Sequence, residues 1–228
     1  MTSHWPDEVT IGVVLDRVSE PPAAIAACTQ AFVDALAARI GDTDWGVVDG
    51  PAWSGPPDQL TEIVAACPST AATGEPDPQD GYGYTLYTRR EPTTLSVGVD
   101  VGGKFLGRRR PAQNVRGTVL NPRGVPVDPA VGDAMLEALI EGWQPLYARL
   151  SEADINLASG RGGWRIPAGY RVWLRDGTVT FDQLAEGVTA RAFAGGTMLS
   201  VPDDWPPDQI AQRLTETYER NGVDVVPH

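Results

Sequence analysis

The chain is poor in the residues that most enzyme chemistry needs: its 228 residues include two cysteines, two histidines and one lysine. Cys28 and Cys67 are too few for a cysteine-bound zinc cluster and too far apart for a CxxC redox pair. Each sits among apolar residues at helical spacing, so both are expected to fill core space as inert thiols. His4 and His228 stand at opposite ends, where chains fray. A Ser-His-Asp or Cys-His site would have to recruit one of them, and a histidine-rich zinc or non-haem iron centre has no ligands to use. No cofactor or metal site is therefore expected. No run of about 18 to 20 continuous apolar residues offers a membrane span, and residues 1–8 carry neither the basic stretch nor the apolar run of a secretory signal. The expectation is a cytoplasmic protein with no membrane partner.

Charge is short on one side as well. Eighteen basic residues against 30 acidic ones give a net charge of -12. Such a field repels polyanions, which argues against nucleic acid and for a partner with a basic surface. The apolar fraction of 42% is that of an ordinary globular chain, so a packed core follows.

Val9, Ile11, Val13 and Leu15 alternate with less apolar residues over 9–18, the pattern of a strand with one buried face. After Pro21 and Pro22, the residues Ile25, Cys28, Phe32, Leu36 and Ile40 recur at helical spacing, and Gly41 stops the helix. Leu60, Ile63, Val64 and Cys67 suggest a shorter helix ended by Pro68. Residues 68–81 form an acidic loop. Strands follow at 82–88 and 95–101, joined by a turn through residues 90–93, with a third at 115–120. Asp128 and Pro129 open the longest helix, whose apolar face runs to Leu150, with a kink or break expected just before Pro145. Strands at 170–174, 189–194 and 197–201, with a turn at Gly195 and Gly196, precede a closing helix from Pro207 to Asn221. Separated blocks of helix and strand predict an α+β fold. It comprises one domain over 1–228, with an antiparallel or mixed sheet and about four helices.

Candidate chemistry is sparse. Residues 98–105, GVDVGGKF, supply the glycines and lysine of a phosphate-binding loop. Phe105, however, occupies the place of the magnesium-binding hydroxyl, and no helix starter follows. Arg108, Arg109 and Arg110 form a basic cluster, expected as a solvated loop. Carboxylates are abundant, which keeps open a hydrolase built on two of them, with or without a divalent metal. Three segments combine acids and aromatics without an apolar period, and loops of that kind are free to serve recognition. They contain Asp42, Asp44, Asp49 and Trp53; then Glu75, Asp77, Asp80 and Tyr82; then Asp203, Asp204 and Trp205. Trp53 is the leading candidate for an interface anchor, since Trp and Tyr concentrate interface energy.

In the order of its segments the chain resembles the immunity protein 52 family of bacterial polymorphic toxin systems. The resemblance rests on Trp45 and Gly50, the QNV at Gln113 to Val115, and the WQP at Trp143 to Pro145. It continues through Gly169, Tyr170, Trp173 and Leu174 and through Gly195, Gly196, Thr197 and Leu199. It departs at the first strand, where Val13 to Arg17 stand in place of the family's usual aromatic before a charged turn. The resemblance implies a non-enzymatic antitoxin that binds and blocks a cognate toxin, often a nuclease, and it brings no catalytic residues with it.

Overall fold

The computed structural model describes residues 5–70 and 75–227; His4 and His228 lie outside them. Nine strands form one sheet in the order β2-β3-β4-β5-β1-β6-β7-β9-β8, and every neighbouring pair is antiparallel. With five α-helices among the described residues the chain is α+β, as the sequence blocks predict.

The first strand, β1 (Glu8–Val14), lies in the middle of the sheet between β5 (Asn114–Leu120) and β6 (Tyr147–Ser151). Its Val9, Ile11 and Val13 are fully buried on one face. That face is covered by helices α1 (Pro22–Ile40), α2 (Pro57–Ala65) and α3 (Pro129–Trp143), with α1 packed between the other two. Among the described residues α1 is the one helix long and apolar enough to cross a bilayer. Here Ile25, Phe32 and Leu36 are wholly buried in the helical layer, as befits a core helix. The α1–α3 crossing depends on Gly142, since a Cβ there would stand 2.6 Å from the Phe32 nitrogen.

β3 (Tyr82–Arg90) and β4 (Thr93–Val101) form the expected hairpin, and β2 (Gly46–Val47) caps its outer edge over two residues. The 98–105 segment is the end of β4 followed by a loop, in which buried Gln113 donates to the carbonyls of Gly103 (3.2 Å) and Phe105 (2.8 Å).

The break expected just before Pro145 is present, and the helical reading of the residues beyond it, up to Leu150, is corrected. Asp128 caps α3 by accepting from the Ala130 amide (3.0 Å), but α3 ends at Trp143 and Gln144 turns left-handed at φ 43°. The chain then enters β6, whose residues are buried on both faces except for a partly exposed Arg149. Burial on both faces erases strand alternation, and the spacing of Leu146, Tyr147 and Leu150 imitated a helix. A fifth helix, α4 (Ala153–Ser159), had no apolar period to betray it, because Ile155 is its one buried residue. β7 (Arg171–Arg175), β8 (Thr189–Phe193) and β9 (Gly196–Ser200) complete the sheet, and α5 (Pro207–Arg220) packs with α4.

Candidate functional site

Two of the three acidic segments border β3 at its opposite ends, Asp42 and Asp44 beside residues 87–90 and the 75–80 loop ahead of Tyr82, against the 101–104 loop. Asp42 and Asp44 are exposed on the α1–β2 connection and line an open groove of about 610 Å³ with Tyr87, Thr88, Arg89 and Arg90. Asp49 is exposed at a left-handed φ of 57° in the turn after β2, a conformation that Asp tolerates better than most residues. Turn geometry therefore explains an acid at this position without any partner. Glu75 and Asp80 are exposed and Asp77 half-buried, its carboxylate capping a short 3-10 turn through the Gln79 amide at 2.8 Å. Tyr82 is the first residue of β3, half-buried and paired with Val101. Beside Asp49 and the Asp42–Asp44 groove, Val48 (47% exposed) and Tyr87 (45% exposed) present apolar surface.

Trp53 is not part of that surface. It is 5% exposed, stacks on Tyr84 at 5.9 Å and donates from its indole to Gln30 on α1 at 3.0 Å. The expectation of a loop anchor is corrected: the indole closes the core, and the loop around it supplies only the acids.

The third segment lies apart, between β9 and α5 near the opposite end of the sheet. Asp203 is already engaged, pairing with Arg171 at 2.8 Å, and Asp133 on α3 holds the same guanidinium at 3.0 Å. Trp205 is half-buried against Gly187, where a Cβ would fall 2.4 Å from the ring, and Asp204 beside it is half-buried. This segment closes the fold, and it does not join the acidic edge.

The enclosed carboxylates bear on the hydrolase alternative. Glu152 accepts the Tyr170 hydroxyl at 2.5 Å, and burial pushes its pKa up. Asp133 is also raised by burial, against the opposing pull of Arg171. Both are tied to a phenol or a guanidinium, and neither lines the Asp42–Asp44 groove. The two thiols are partly buried, and desolvation pushes both upward, away from the reactive thiolate.

Sequence reasoning missed a cationic depression on the sheet face away from α1 and α3. Arg110, Arg116, Arg149, Arg161 and Arg165 converge there from two strands and two connections. The available signals were Gly12 in the middle of an apolar strand and Arg116 at an outward position of β5. Arg149 was hidden because its segment read as helix.

No protein-family model matches the sequence, and no curated protein matches it. The resemblance to the immunity protein 52 family thus has no family match behind it. Among solved structures, the chain is similar to Pseudomonas aeruginosa T6SS protein PA0821, at 10% identity and a TM-score of 0.48, covering 95% of this chain and 77% of that one. So distant a likeness carries no function, which has to be argued from the residues.

Proposed function

We propose that the protein is an immunity protein that neutralises a cognate bacterial toxin, a nuclease, by direct contact through its acidic β2–β3 edge. The supporting observation is the placement of exposed Asp42, Asp44 and Asp49 around exposed Val48 and Tyr87 at the β2–β3 edge. An apolar centre with a polar rim is the anatomy of a protein interface. Carboxylates arrayed on a surface compete with nucleic acid for a nuclease's basic cleft, and the net charge of -12 steers the encounter.

The test is co-expression and co-purification with the product of the neighbouring gene, followed by association kinetics. The expected result is capture at low salt and inhibition of the toxin, with an association rate that falls as salt rises. Replacing Asp42, Asp44 and Asp49 together by Asn should slow association by about tenfold, within the span of electrostatic steering. Replacing Asp204 by Asn, on the distant segment, should leave it nearly unchanged. A neighbouring product that is neither bound nor inhibited, or binding indifferent to the triple substitution, would overturn the assignment.

A further inference from the structure

Gly12 on β1 is flanked in register by Arg116 on β5 and Arg149 on β6. A Cβ at position 12 would stand 3.4 Å from Arg149 Nε and 3.6 Å from its Cγ, so the arginine lies across the glycine. Two connections wall this floor. One brings Arg110 from between β4 and β5, and the other brings Arg161 and Arg165 from between α4 and β7. They touch each other: the Trp164 indole donates to the Gly107 carbonyl at 3.0 Å, and Gly163 closes on the Arg109 carbonyl. The result is a half-enclosed cleft of about 260 Å³ lined, among the described residues, by five arginines and by no Asp or Glu.

The arginines differ in what they already hold. Arg161 is bound to the Ile166 carbonyl and to Asp224 at 2.7 Å, and Arg165 reaches the same carboxylate at 3.5 Å. Arg149 donates to the Asn156 amide oxygen at 2.8 Å, and Asn156 also accepts from Ser151, which fixes its orientation. Among the described residues Arg110, Arg116 and Arg149 have no carboxylate partner. Scarcity of acids does not explain this in a chain with 30 of them. A guanidinium taken largely out of water without a counter-charge is costly, and a second arginine beside it adds repulsion. Desolvation, and less so Arg116, hold the Arg149 pKa below the ordinary arginine value against the opposing influence of Tyr147. A bound anion would relieve both costs.

We infer that this cleft binds a small phosphate-bearing molecule, its phosphoryl group held by Arg116 and Arg149 over Gly12. Planar guanidiniums converging from two strands offer paired donors that match phosphoryl oxygens. Several unpaired arginines call for a ligand carrying more than one negative charge. The size follows from the walls, since loops that touch across the cleft admit a mononucleotide-sized ligand, while the protein's overall negative charge repels long polyanions. The site is independent of the acidic edge and goes beyond the proposed inhibition.

Calorimetric titration of the full chain with inorganic phosphate and with a nucleoside monophosphate, at ionic strength matched with chloride, tests the assignment. Saturable one-to-one binding is expected. Arg149→Met, which keeps the apolar stem, and Arg116→Gln should each weaken it by tenfold or more, the worth of a charge-assisted hydrogen bond. Gly12→Val should abolish it by filling the floor. Should the Arg149 variant fail to fold, exposed Arg116 carries the test alone. Absence of saturable phosphate binding, full affinity in Arg116→Gln, or equal affinity for the dicarboxylate succinate would each overturn the assignment.

Discussion

Trp53 and Glu152 are polar-tipped side chains whose burial decides what they do. With the Trp53 indole stacked on Tyr84 and bonded to Gln30, truncation to Ala removes core volume and a hydrogen bond together. A loss of about 3 to 5 kcal/mol in denaturant unfolding is expected, with partner affinity per folded molecule unchanged. Glu152 makes a pH-dependent contribution. Its folded pKa is raised, by burial foremost, so the native state holds a proton that the unfolded chain has already released. Stability tied to this group is fully present below the unfolded carboxyl value of about 4.3 and is lost as pH rises through the higher folded value. Glu152→Gln keeps an acceptor for the Tyr170 hydroxyl and removes the ionisation. Relative to wild type it should gain stability between pH 4 and pH 7 in urea unfolding, and a flat difference across that range would refute the account. Asp16 runs the other way: its hydrogen bond to Arg175 holds it below the ordinary carboxylate value, so its contribution is lost as pH falls.

Elements with one buried face were legible in the sequence, and β8, which has no buried residue, was legible through the turn at Gly195 and Gly196 that follows it. The strands β1, β3 and β4 alternate cleanly, and α1 and α5 show helical spacing because each turns a single stripe inward. β6, covered on both sides, and α4, with one buried residue, carry no such period. The candidate site suffered in the same way. The acids of the β2–β3 edge could be found as exposed loop residues, but Trp53 could not be recognised as core from its neighbours. The arginine cleft is assembled from residues more than a hundred positions apart in the chain, a proximity that only strand register reveals. Helix crossings hold similar long-range information. Replacing Gly142 by Ala would ordinarily favour a helix by about 0.8 to 1 kcal/mol. Here the methyl would strike the α1 backbone at Phe32, so a net destabilisation of about 1 to 3 kcal/mol is expected by thermal unfolding, as for other overpacked contacts.

At the scale of the whole molecule, the Asp42–Asp44 groove also carries Arg89 and Arg90, while the cleft over the central strands carries arginines and, among the described residues, no acid. The central place of β1 has a further consequence, for the order in which the molecule can assemble. Val14 pairs with Asn114 on one side and with Tyr147 on the other, so β1 waits for partners made a hundred or more residues later. At about 5 to 20 residues per second that wait lasts roughly 5 to 20 s or more. Throughout it an apolar strand with two open edges stands exposed to other nascent chains. The hairpin of β3 and β4, complete within residues 82–101, can form well before that and offer β5 an edge to build on. The sheet therefore grows from its flank, and β1, made before both of its partners, is among the later strands to be enclosed.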